Sequence, residues 1–406
     1  MFLRSFKLSL IFLVFIAASA FAGTLTLKEA VEAALKQNPE ITSAKAEWES
    51  TKAKIPQALA LDDPRLGLEY EQIPSGSRNP EDGMKMYTAE QMIMFPGKIY
   101  AEWQMARAEA EAAGANYKAK ALEIAAQVKS AYYELFLADR AIEVIGEIRD
   151  FLLKIKKSAE AKYVVGDVVQ SDVLMANIEY LMMDNELVTR QQERPVKEEK
   201  LKALLNRNDE VTIETEADLV LPGTIGSEKE LEKAATLNRP ELRAMKAELD
   251  AKDSAHFKSK MEFFPDTMLG VKKRAEDGWD AMISFSIPLY FWKQGYGVAS
   301  VGLEKEAAEA AYQNMKNMTA WEVKEAWVMA DSARRTVQLY EDKIVPQSAQ
   351  ALKAALAAYQ AGKVDFQTFL NIERAYKEAK LKLFESRVKF GRTLAELDKI
   401  VGGELK

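Results

Sequence analysis

Pro39-Glu-Ile-Thr-Ser-Ala-Lys-Ala-Glu47 lines up without a gap on Pro240-Glu-Leu-Arg-Ala-Met-Lys-Ala-Glu248, and the same offset carries Pro64 onto Pro265. Further matches follow at a slightly smaller offset. Val128-Lys-Ser-Ala-Tyr132 pairs with Val323-Lys-Glu-Ala-Trp327, and Tyr163-Val-Val-Gly166, Leu174 and Tyr180 pair with Tyr359-Gln-Ala-Gly362, Leu370 and Tyr376. Similarity held in register over such lengths marks an internal duplication. The chain reads as two copies of one unit, residues 23–207 and 227–406, joined by a linker over 208–226 where Leu221-Pro-Gly-Thr224 supplies turn residues.

Within each copy the hydrophobic period changes twice. Thr26-Leu-Lys-Glu29 is a capping box that opens a helix broken at Asn38-Pro39, and helical spacing then resumes to about Leu61 before Pro64. From Pro64 the period becomes two: Leu66, Leu68 and Tyr70 alternate with Arg65, Gly67, Glu69 and Glu71. After the turn-rich Ile73–Gly83 stretch, a return strand places Tyr87, Ala89, Ile93 and Phe95 on one side and Thr88 and Glu90 on the other. The second copy repeats the pattern. Leu269 and Val271 alternate with Gly270 and Lys272, and Trp279, Ala281, Ile283, Phe285 and Ile287 alternate with Asp280, Met282, Ser284 and Ser286. The hairpins thus occupy 65–95 and 266–288, with strands of about 8–11 residues, near the ~9–11 that cross a bilayer at a tilt.

The remaining segments read as helix. Lys98 to about Ala161 and Gly297 to about Val345 contain no proline, and at 1.5 Å per residue the first reaches ~90 Å. Such alanine-rich, charge-laced helices point to coiled-coil packing, with paired helices returning after the Tyr-x-x-Gly turns to about Asn206 and Val401. The fold class is mainly α with a small β part.

At the N-terminus Arg4 and Lys7 precede an apolar run from Leu8 to Ala18, and Ala20-Phe21-Ala22 offers a small-x-small cleavage site. This is the pattern of a secretory signal peptide over 1–22; the run is shorter than the ~20 residues of the alternative, a membrane anchor. No later stretch is long enough for a transmembrane helix, so a membrane crossing has to use strands. The 406 residues contain no cysteine, which excludes disulfides, thiolate metal sites and a cysteine-linked lipid. The one histidine, His256, lies in a helix-surface context and supports neither a Ser-His catalytic set nor a multi-histidine zinc site. With a net charge of −6 the chain lacks the electrostatic drive for nucleic acid. No cofactor is implied. Met84, Met86, Met92 and Met94 alternate along one segment; adaptable packing and soft-metal coordination both account for such a pattern.

Four strands with one apolar face each cannot lie in lipid as an open sheet, because every unpaired edge group costs several kcal/mol. Four are too few to close, so several copies have to share one barrel. Tyr70, Tyr87, Phe95, Trp279, Tyr290, Phe291 and Trp292 stand near strand ends, where interfacial aromatic girdles form. The competing reading is a helical protein with two hairpins packed on its own helices.

Leu25-Thr-Leu-Lys-Glu-Ala-Val-Glu-Ala-Ala-Leu-Lys-Gln-Asn-Pro-Glu-Ile41, the duplicated Tyr-x-x-Gly…Leu segments and the strand pairs together resemble the TolC-type outer-membrane efflux family over almost the whole mature chain. The resemblance implies a homotrimer whose strands form one β-barrel in outer-membrane lipid, continuous with a periplasmic α-barrel. It also implies a periplasmic adaptor protein and an inner-membrane pump of the RND type as partners. By position, Val165, Gly166, Asp167, Ala361, Gly362 and Lys363 are the candidate adaptor-docking turns, and Ser171, Asp172, Asn371 and Lys363 fall at the pore gate. Val364 and Thr368 depart from the basic and acidic residues that some relatives use there. The implied role is a passive exit duct, not an enzyme, for heavy metals or drugs. Polypeptide secretion and a periplasmic coiled-coil scaffold are the alternatives.

Overall fold

The computed structural model describes residues 24–274 and 278–404. The expected signal peptide over 1–22 and residues 275–277 lie outside them. Thr26 caps α1 (Leu27–Gln37) through a reciprocal box with Glu29, and Asn38 then caps α2 (Pro39–Gln57). In the second copy Ser227 and Glu230 form the same box for α5 (Glu228–Asn238), followed by α6 (Pro240–Met261). Proline at the first helical position, where its missing N–H is no loss, makes both elbows. The chain leaves α2 at Gln57, one residue after Pro56 and short of the expected Leu61, because turns over 58–60 take up the approach to Pro64.

The long helices are α3 (Pro96–Val164), α4 (Gln170–Leu204), α7 (Phe291–Leu339), α8 (Val345–Gln360) and α9 (Phe366–Val401). At 69 residues α3 spans about 100 Å. In the second copy the corresponding run does not stop near Val345. A π-turn over Tyr340–Ile344 absorbs the defect at Pro346, and the chain continues as α8. Arg387 on α9 fixes this turn by pairing with Glu341 at 2.6 Å while also holding Asp218 of the linker.

The linker is strapped down. Its short strand β4 (Glu214–Thr215) pairs in parallel with β1 (Thr24–Leu25), a contact that two-residue strands do not announce in sequence. Arg194 reaches Asp139 at 2.6 Å, Glu198 at 2.6 Å and the Ile213 carbonyl at 2.7 Å. Tyr132, fully buried, donates to the Leu25 carbonyl at 2.8 Å and accepts from the Glu216 N–H at 3.1 Å; burial pushes its hydroxyl up to about 12. The main core beneath is built from Ile124, Val128, Leu135, Phe136, Leu201 and Leu205.

Strands β2 (Arg65–Glu71), β3 (Met84–Ile93), β5 (Asp266–Arg274) and β6 (Trp279–Ser286) form one antiparallel sheet in the order β2-β3-β5-β6. The two hairpins join through β3 and β5, with Ala89 opposite Val271 and Met92 opposite Met268. This leaves β2 and β6 as the sheet's outer strands.

Candidate channel wall and tip

The register settles which residues share a face. Leu66 faces Ala89, Ala89 faces Val271 and Val271 faces Ala281; Leu269 faces Ile283 and Thr267 faces Phe285. One face therefore carries Leu66, Leu68, Tyr87, Leu269, Val271, Trp279, Ile283 and Phe285, all exposed, with Leu66 at 81% and Phe285 at 59%. The other face carries Glu69, Glu90, Lys272, Arg274 and Asp280, where Lys272 pairs with Glu69 at 2.8 Å and Arg274 with Asp280 at 2.8 Å. An apolar face this large and uncovered belongs in lipid or against another chain. Among the described residues no helix is long and apolar enough to cross a membrane.

Sheet and helices meet at a buried lysine. Lys98, in the first turn of α3 and 5% exposed, pairs with Asp266 at 2.9 Å and Glu262 at 3.3 Å. Asp266 also accepts the Phe95 N–H at 2.8 Å, and Phe95 stacks on Phe264 with ring centroids 4.6 Å apart. Phe95, read from sequence as a strand-face residue, is instead the cap residue before α3, because β3 ends at Ile93. Phe291 and Trp292 likewise begin α7 rather than ending a strand.

At the far end of the helices the two hairpin tips lie together. Gly166 and Gly362 adopt φ of +83° and +69°. In each turn the glycine N–H reaches back to Tyr163 or Tyr359, and the next N–H, of Asp167 or Lys363, reaches Lys162 or Ala358. This is the Schellman arrangement. A Cβ on either glycine meets nothing within 4 Å, so conformation rather than crowding requires glycine there. Val165 and Ala361 are exposed, and Lys162 bridges the hairpins by donating to the Gln360 carbonyl at 3.3 Å. Ser171 and Asn371 are exposed, and Asn371 accepts from Gln367 at 3.1 Å. Asp172 is half-buried, and its charge bears on Tyr359, whose hydroxyl is raised first by burial and then by that carboxylate. Lys363, by contrast, is an exposed residue of the turn, outside the packed aromatic cluster of Tyr359, Phe366 and Phe369.

One and two turns further from the tip lies a charged cluster that sequence reading missed. Glu179 of α4 is 3% exposed and held by two hydrogen bonds from Arg374 of α9, one of 3.0 Å. Lys377 pairs with Glu186 at 3.3 Å, so the two hairpins are bridged by side chains across a cavity of about 660 Å³. Glu373, beside them and 1% exposed, has a carboxylate oxygen with no hydrogen-bond partner. Burial and the Glu179 charge push it up to about 7, against the pull of Lys377 and Arg374. The available signal was a carboxylate on the apolar stripe of α9, three and four residues after Leu370 and Phe369. No group of three or more His, Cys, Asp or Glu suited to a metal occurs among the described residues.

The family described as outer membrane efflux protein matches residues 30–207 and 231–403, one stretch in each copy of the repeat. A cobalt-zinc-cadmium resistance protein, CzcC of Cupriavidus metallidurans, is 24% identical over 389 residues, covering 94% of this chain and 91% of that protein. Among solved structures, the outer-membrane channel OprN superposes with a TM-score of 0.79 at 18% identity, covering 93% of this chain and 90% of that one. The outer membrane protein VceC of Vibrio cholerae gives 0.77 at 20% identity, covering 94% and 97%.

Proposed function

Because the chain belongs to the outer membrane efflux protein family, we propose that three copies assemble into one channel that discharges heavy-metal cations delivered by an RND-type pump. Its place is the outer membrane, with the helices extending into the periplasm. It serves as the passive exit duct of a tripartite efflux system alongside an adaptor and an inner-membrane pump, and it is not an enzyme. The observation that carries the trimer is the four-stranded sheet, apolar on one face and open along β2 and β6. In lipid those edges have to be paired, and β6 of one copy meeting β2 of the next satisfies both without new structure. The likeness to a cobalt-zinc-cadmium resistance protein supports metal cargo, and the linker strapped between matched repeats supports units at 23–207 and 227–406.

At the tip, the exposed turns at Val165-Gly166-Asp167 and Ala361-Gly362-Lys363 are the adaptor-docking surfaces in this reading. Asp172, with Ser171, Asn371 and Lys363, forms the polar gate. Three symmetry-related Asp172 carboxylates narrow the closed tip and favour cations. Single-channel recording of the mature protein in planar bilayers tests both levels. Asp172→Ala should raise conductance and lower cation preference. Unchanged values reject the gate, and absence of any conducting steps from the wild type rejects the duct. For cargo, complementation of a metal-sensitive host lacking its own outer-membrane component should restore growth on at least one of zinc, cadmium, copper and silver; drug tolerance without metal tolerance would reject the metal reading.

A further inference from the structure

Of the alternating methionines of the return strand, Met86 is buried, whereas Met84 is exposed and Met92 half-buried. Register places Met92 opposite Met268, and Met282 opposite Gly270, one step along the same face. That is the charged face of the sheet, and no helix packs broadly across it. Nearer the helices on that face Met92 and Met268 are only half-buried and Met282 is exposed, and a water-filled barrel favours polar groups there instead. Gly270 explains how the group fits. A Cβ at that position would sit 3.1 Å from the Met282 Cε and 3.6 Å from the Glu90 Cγ, so the missing side chain leaves the space over which both lie.

We propose that Met92, Met268 and Met282, with Glu90, form a binding site for a soft monovalent metal cation of the Cu(I) or Ag(I) class on the lumen wall, at the periplasmic end of the barrel. Met92 and Met268, directly opposed, hold their Cβ atoms about 5 Å apart, and Met268 and Met282, diagonal neighbours, about 7–8 Å. Met92 and Met282 stand two strands apart, about 10 Å or more, a gap that flexible methionine side chains close over Met268 and Gly270. Thioether sulfur selects soft cations over hard ones such as Mg²⁺. Glu90 supplies one negative charge to match one positive charge. Arg65 stands across from Glu90 on β2 and is exposed, which leaves the carboxylate's other side toward Gly270. The inference rests on the polar face being the lumen, and it sharpens the metal-cargo reading by naming a class of ion.

Titration of silver nitrate into the mature protein in nanodiscs, in chloride-free buffer, tests it. One Ag(I) per chain is expected, with sulfur neighbours visible by X-ray absorption. The Met92→Leu, Met268→Leu, Met282→Leu triple variant should weaken binding about 100-fold or more, and Met92→Leu alone about tenfold. Met84→Leu should leave it unchanged. Should the triple variant fail to insert, Gly270→Ala, which fills the space beside Met282 and Glu90, should weaken binding while keeping every sulfur. Equal affinity in these variants, or no silver binding by the folded wild type, overturns the proposal. Conductance recorded on the same samples reports separately on the duct: a channel that conducts but ignores silver sinks only the metal site.

Discussion

Ile283 and Ser284 are neighbours in β6 on opposite faces of the sheet, and the assignment of those faces to lipid and water predicts opposite outcomes for one substitution. Ile283 is 66% exposed and shares its face with Leu269 and Phe285, whereas Ser284 lies beside Met268 on the charged face. A lysine facing lipid near the bilayer midplane costs roughly 2–4 kcal/mol, and one facing a water-filled lumen costs little. In the proposed trimer the first figure multiplies to roughly 6–12 kcal/mol per barrel, which rivals the ~5–15 kcal/mol stability of a whole domain. Ile283→Lys should therefore abolish the oligomer seen on unheated gels and deplete the outer-membrane fraction, while Ser284→Lys should retain both. Equal damage from the two, or an intact oligomer with Ile283→Lys, would refute the face assignment.

The dry site of Glu373 gives the helical tip a pH dependence. Its folded value, raised from 4.5 to about 7, means that the folded state holds the proton more tightly. The stabilisation, on the order of 3 kcal/mol per chain, is full below about 4.5 and is lost as pH rises through about 7. Thermal melts followed by circular dichroism should show a higher transition at pH 5 than at pH 8, and Glu373→Gln should flatten that difference; an unaltered slope would contradict it. Gly391 of α9 packs against Tyr133, whose ring atoms would come within 2.6 Å of an added Cβ. Gly391→Ala should thus destabilise by about 1–3 kcal/mol, read as a lowered melting transition, and an unchanged melt would show that Tyr133 moves aside freely.

The duplication and the switch from helical to strand period were legible because both are carried by local pattern: Pro39 against Pro240, and Leu66-x-Leu68-x-Tyr70 against Leu269-x-Val271. What local pattern does not carry was missed. The pairing of β3 with β5 joins residues from different repeats, so no turn specifies its register. The π-turn before Pro346 is braced by Arg387, far along the chain, and β1 with β4 is too short to show a period. At the tip the glycines were legible from their turn context, but the burial of Glu179 and Glu373 depends on which helices become neighbours. Charge at Glu179 and Arg374 looks like ordinary solvated helix surface until α4 and α9 are placed together.

The chain's lack of cysteine allows a direct test of the shared barrel. Leu68→Cys on β2 and Ile283→Cys on β6 lie three strands and four register positions apart within one copy, about 20 Å, but on adjoining edges of two copies. Treatment of membranes with a short bis-maleimide should yield a covalent trimer and nothing larger. Monomers alone, or a ladder extending past three chains, would contradict a closed ring of hairpins through the outer membrane.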